Sequence, residues 1–125
     1  SQQEEEMEEE EEGKAEELRM QVLANLGEVH AVTGDRVKAR FYLLSALALA
    51  RALRAEAGES KCIASLGELS MEEGDYATAI VWFEKALVLS HKLVDHEDLA
   101  LAHTHLAIAT SQLMRRTPRA TLADV

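Results

Sequence analysis

Five histidines and one cysteine are the side chains of this 125-residue chain most suited to metal or nucleophilic chemistry. Four of the histidines, His91, His96, His103 and His105, crowd near Asp95, Glu97 and Asp98, a set that would serve a metal ion or an acid/base step if one helix face gathered it. Their spacing does not. His103 and His105 are two apart and point to different faces, and no His pair has the i, i+4 separation that presents two ligands together. Cys62 has no second Cys with which to form an internal disulfide or a closed zinc site, which fits a reducing, intracellular (cytoplasmic) compartment and a small core residue. No Gly-rich phosphate loop and no nucleophile elbow is present. The residues therefore predict a non-enzymatic chain with no catalytic residues, no metal and no cofactor.

Charge narrows the partners. The chain carries −10 overall, yet residues 1–17 hold ten Glu against one Lys, so the remainder is nearly neutral. The block Glu4 to Glu12, broken only by Met7, repels itself and buries no apolar area, so 1–13 is expected to be a disordered tail or at most a frayed helix. Neither tail nor body offers the basic stripe that nucleic acid requires. The longest apolar runs, Ala46 to Ala50 and Ala79 to Phe83, fall far short of the roughly 18 residues of a membrane span. An acidic start is also unlike a signal peptide.

The elements that would position any site are helical throughout. Apolar residues recur at helical spacing from Lys14 to about Met114, and the one proline, Pro118, lies beyond them. Sliding the chain by 40 residues superposes 20–54 on 60–94 with 11 identities, among them Ala24/Ala64, Leu26/Leu66, Gly27/Gly67, Glu28/Glu68, Gly34/Gly74, Asp35/Asp75, Ala39/Ala79 and Ala46/Ala86. Gly34-Asp35 and Gly74-Asp75 read as a helix stop followed by a helix cap, so each repeat is a helical hairpin. Gly27 and Gly67 fall inside helices, where glycine costs about 1 kcal/mol relative to alanine; close approach of a neighbouring helix offsets that, with Ala39, Ala46, Ala79 and Ala86 as the expected matching stripe. Helices are predicted at 14–33, 36–55, 59–73, 76–94 and 97–114, with turns at Gly58 and 95–98. Trp82, Phe83, Tyr42 and Phe41 are expected in the core. The helical domain thus spans 14–114, followed by a basic and polar tail, 115–125, that holds a Thr117-Pro118 pair as a possible phosphorylation site.

These columns resemble the tetratricopeptide repeat (TPR), whose pattern runs Trp-x2-Leu-Gly-x2-Tyr, then Ala-x3-Phe, then Pro. The second repeat carries Ile63-x2-Leu66-Gly67-x2-Ser70, Gly74-Asp75-Tyr76 and Ala79-x3-Phe83-x2-Ala86-Leu87. The first carries Leu23, Leu26-Gly27, His30, Gly34-Asp35, Ala39, Leu43 and Ala46-Leu47. Helix five resembles half of a third repeat, with Leu106-Ala107 in the Leu-Gly columns and Met114 in place of the turn glycine. The 40-residue spacing exceeds the usual 34 or so, and the family proline is absent, with Lys92 near its place. Longer second helices follow, and in its Leu-Gly and Gly-Asp signatures at this spacing the chain resembles the Pins-type spindle-orientation adaptors.

The resemblance implies an all-α, right-handed α-solenoid of two hairpins plus a terminal helix, whose first helices line a concave groove for a peptide or helix of another protein. It would place Gln21, Asn25, Glu28 and Val32 from the first helix in that groove, with Lys61, Ser65, Glu68, Met71 and Glu72 from the third and Leu101, His105 and Ile108 from the fifth. Asn25 stands where many such peptide binders place an asparagine, whose amide both donates to and accepts from a ligand backbone. The carboxylate clamp of chaperone-binding relatives is not matched, because its columns hold Ala24, Ser65 and His105. Glu28, Glu68 and Glu72 favour basic or neutral ligands instead. The competing expectation is a structural fragment whose exposed repeat ends self-associate or stack on further repeats, with the acidic tail binding basic proteins or a basic site in cis. Leu101 and Ile108 lie opposite Leu99, Ala102, Leu106, Ala109 and Leu113, so the fifth helix is apolar on two faces and open to a further repeat, a second copy or a ligand.

Overall fold

Gly34 and Gly74 end two helices and so set the architecture. In the computed structural model, which describes residues 1–93 and 96–117, both take left-handed backbone, φ 90° and 75°, a conformation that costs other residues roughly 1–2 kcal/mol. The two turns repeat each other bond for bond. The N–H groups of Gly34 and Asp35 donate to the carbonyls of Ala31 and His30, and those of Gly74 and Asp75 to Met71 and Ser70. The Asp35 carboxylate then accepts from the Lys38 N–H at 3.1 Å, and Asp75 from Thr78 at 3.3 Å, capping the helices that follow.

Five helices result: α1 (Gln2–Thr33), α2 (Arg36–Ala52), α3 (Glu56–Glu72), α4 (Tyr76–Leu93) and α5 (His96–Arg116), with no strand among the described residues. The chain divides into two compact units, Ser1–Ser65 and Leu66–Val125, the division falling inside α3. In the first unit α1 packs along α2, burying Met20, Ala24, Ala39, Leu43, Ala46, Leu47 and Ala50. In the second, α4 packs along α5, and Ala79, Phe83 and Ala109 form a core flanked by Met71, Ile80 and Leu106.

The interior glycines receive large side chains. A Cβ on Gly27 would lie 2.7 Å from Leu43 Cγ, and one on Gly67 would collide with the Phe83 ring. Leu43 and Phe83 are themselves 40 apart, so the sequence repeat is also a repeat of contacts. The alanine stripe expected opposite these glycines is buried, with Ala39, Ala46 and Ala79 at 0% exposure, but the atoms seated on the glycines belong to Leu43 and Phe83.

Four expectations are corrected. The acidic segment 1–13 is helical, because α1 starts at Gln2. Ser1 accepts from the Glu4 N–H in a capping box, Gln2 bonds Glu6 at 3.4 Å and Lys14 pairs with Glu10 at 3.3 Å. Continuity with the packed half of α1 removes the nucleation cost that an isolated segment would bear. The turn between α2 and α3 lies at 53–55 rather than at Gly58: Arg54 takes φ 55°, and Gly58 sits inside α3, where a Cβ would meet the Met20 thioether at 2.8–2.9 Å. Phe41 is 64% exposed, edge-on to Tyr42 at 5.4 Å, whereas Phe83 fills the core. Finally, Arg115 and Arg116 belong to α5 rather than to a tail. The Arg116 guanidinium donates to the Gly74 carbonyl at 2.9 Å and lies 4.7 Å from the centre of the Tyr76 ring. Asp95 and Pro118, assigned above to a turn and a Thr-Pro pair, lie outside the described residues.

Two stability outcomes follow for thermal unfolding followed by circular dichroism. Deleting residues 1–12, which are exposed throughout, should lower the helical signal yet leave the midpoint within about 2 °C, as expected for residues that bury nothing. Arg116→Ala should cost about 1 kcal/mol, because it removes a charge-assisted bond together with a cation–π contact.

Candidate partner-binding site

At 100° per residue, Gln21, Asn25, Glu28 and Val32 share one side of α1. In the first unit the N-terminal part of α3 runs beside that side, and Gln21, Asn25 and Lys61 come together in a cleft of about 510 Å³. Glu17, Met20, Ala55, Glu56, Ala57 and Gly58 complete its lining. Glu28 adjoins this group through Lys61, whose ammonium lies 3.5 Å from the Glu28 carboxylate. Both partners of that pair are about half exposed, so it is worth at most about 1 kcal/mol, and a ligand charge can displace either member. Ser65 is half-buried. Val32, 88% exposed, is not among the cleft residues.

The remaining candidates belong to the second unit. Glu68 of α3 lies 3.9 Å from His105 Nε2 of α5, and the His105 ring packs on Phe83 with centroids 4.9 Å apart. His105 is therefore fixed between a carboxylate and a core aromatic. Met71 is partly buried against the Ala79–Phe83–Ala109 core, so its apolar contact is made within the chain. Glu72 is exposed, and Leu101 and Ile108 are 48% and 46% exposed. These last three offer a carboxylate and two apolar surfaces to an outside group.

Sequence reasoning missed Glu17 and Glu56. It placed the α2–α3 turn at Gly58, which left 56 outside a helix. The left-handed Arg54 that ends α2 earlier has no residue-type signature, since arginine rarely adopts that conformation. Arg116 was missed as a contact because its partners, Gly74 and Tyr76, are some 40 residues away.

The histidines do not assemble a centre. His91 and His103 approach edge-on with ring centroids 6.4 Å apart, and among the described residues no three His, Cys, Asp or Glu side chains converge. No helix among those residues is long and apolar enough to cross a membrane. Comparison with known families and with curated proteins gives no match to this chain.

Cys62 is buried, and that burial pushes its thiol above the ordinary range; Lys61 pulls the other way and Glu28 adds to the rise. A thiol whose folded pKa is raised stays neutral through neutral pH, and its contribution to stability is lost as pH climbs through the ordinary thiol range and above it. Alkylation of the folded chain by iodoacetamide at pH 8 should thus run at least about 100-fold slower than in denaturant. Cys62→Ala should flatten the alkaline fall in stability seen in urea titrations.

Proposed function

We propose that this chain is a non-enzymatic interaction module of the TPR type, a right-handed solenoid of helical hairpins that holds a segment of another protein against its first helices. The observation that carries the reading is the cleft in residues 1–65, where Gln21, Asn25 and Lys61 meet. An asparagine amide at such a place can bond both an N–H and a C=O of a ligand backbone and so read an extended chain without regard to its side chains. Lys61 offers an exchangeable charge to a ligand carboxylate, while Glu17 and Glu56 favour a neighbouring basic residue. On the second unit, taken by itself, Glu72, Leu101 and Ile108 are exposed and are proposed as further partner contacts. One unpaired, buried cysteine is compatible with work in a reducing compartment such as the cytoplasm.

The test is a quantitative capture from cell lysate that compares the wild-type chain with an Asn25→Ala, Lys61→Glu variant whose helical dichroism is unchanged. The expected result is a specific protein that the variant binds at least tenfold more weakly, the loss typical of a central polar contact. Equal retention of the same proteins by both chains would refute the cleft as the binding site. A Glu72→Arg variant tests the second unit by itself: it should weaken binding of a basic ligand there, and unchanged affinity would exclude Glu72 as a contact.

A further inference from the structure

The Gly-Asp turn occurs twice in this chain, and only its second occurrence is covered. A Cβ on Gly34 would meet nothing within 4 Å, whereas one on Gly74 would lie 2.9–3.4 Å from three atoms of the Arg116 guanidinium. Arg116 therefore rests where a side chain at position 74 would otherwise stand. From there it donates to the Gly74 carbonyl and covers the Tyr76 ring. Because Arg116 is the last residue of α5 and Tyr76 the first of α4, this one side chain latches the end of α5 to the start of α4.

The residue after the latch carries a hydroxyl. Thr117 is exposed, and both its hydroxyl and its N–H donate to the Leu113 carbonyl at 3.0 Å, which closes the last turn of α5. In the sequence it stands between Arg115-Arg116 and Pro118-Arg119. The chain has one proline, so Thr117 is its only Ser or Thr that precedes one. A residue before proline is disfavoured in helical backbone, which accounts for α5 stopping at Arg116. It also leaves a single turn to undo before Thr117 can enter an enzyme cleft in extended form.

We propose that Thr117 is a phosphorylation site for a proline-directed protein kinase, and that the phosphoryl group opens the Arg116 latch. In the transfer the Thr117 Oγ forms a bond to the γ-phosphorus of ATP, the bond from that phosphorus to ADP breaks, and the hydroxyl proton passes to the kinase's base. Three consequences act in one direction. The hydroxyl that donated to Leu113 is lost as a donor. A phosphate of charge about −1.5 to −2 now sits at a helix C-terminus, where the carbonyl ends of the peptide dipoles repel it. Finally, its oxygens lie within reach of Arg115 and Arg116, and an arginine–phosphate bond is stronger than a bond from arginine to a neutral carbonyl. Arg116 then exchanges Gly74 for the phosphate, which uncovers Tyr76 and frees the last turn of α5.

The full chain, incubated with a purified proline-directed kinase and ATP, should gain one phosphoryl group by intact-mass spectrometry, and Thr117→Ala should gain none. By circular dichroism the phosphorylated chain should melt about 5 °C below the unmodified one. Amides of residues 113–117 should exchange with deuterium at least about tenfold faster. Thr117→Val, which removes the hydroxyl bond without adding charge, should reproduce only a minor part of the melting shift. In an Arg116→Ala background the shift caused by phosphorylation should fall to less than half, because the latch is already gone. Failure of the kinase to modify Thr117 overturns the site. A phosphorylated chain that melts at or above the unmodified midpoint overturns the opening, as does an undiminished shift in Arg116→Ala.

Discussion

A large side chain seated over a glycine is the contact on which the rest of this structure depends. Leu43 on Gly27 and Phe83 on Gly67 bring the two helices of each hairpin as close as a missing Cβ allows. Each seat fixes the register between its helices, and register in turn fixes which residues face inward. Ala39, Ala46 and Ala79 are sealed as a consequence, and the Gly-Asp turns close each hairpin only because the helices arrive there at matching heights. The helical penalty of an interior glycine, about 1 kcal/mol, is offset by the packing of a whole leucine or phenylalanine.

The same seat also determines what remains outside. With one side of α1 committed to α2, its polar side is left beside the start of α3, which produces the cleft at Gln21, Asn25 and Lys61. The opposite side is left apolar and open. In the second unit, α5 presents its small residues to α4, and Ala109 is fully buried. Leu101 and Ile108 consequently point away. Within each unit, the helix faces left uncommitted by these contacts are where chemistry with other molecules can occur.

Much of the fold was legible because its signals are local. Gly34-Asp35 and Gly74-Asp75 announce their turns through left-handed backbone and side-chain capping, both properties of the residues themselves. The 40-residue repeat located five helices for the same reason. What was illegible rests on context. The acidic arm reads as self-repelling, and its helicity comes from attachment to a packed segment. Arg54 bears no mark of the turn it makes, so Gly58 was given that role when its actual one is to admit Met20. Arg116 reads as part of a basic end until Gly74 and Tyr76 are seen beside it. Among the site candidates, exposure at Asn25 and Glu72 follows from helical spacing alone, whereas the occupation of Met71 and His105 by core contacts depends on how α5 packs.

The most direct measurement of the central claim, that a side chain seated on a glycine defines each hairpin, is a double-mutant cycle in urea unfolding on Gly67→Ala and Phe83→Leu, with Gly27→Ala and Leu43→Ala as its counterpart. The account predicts that Gly67→Ala alone destabilises by about 1–3 kcal/mol, the cost of overpacking. In the Phe83→Leu background most of that loss should vanish, and the first hairpin should show a coupling of the same sign. Additive effects in both hairpins, or a Gly67→Ala chain more stable than wild type, would contradict it.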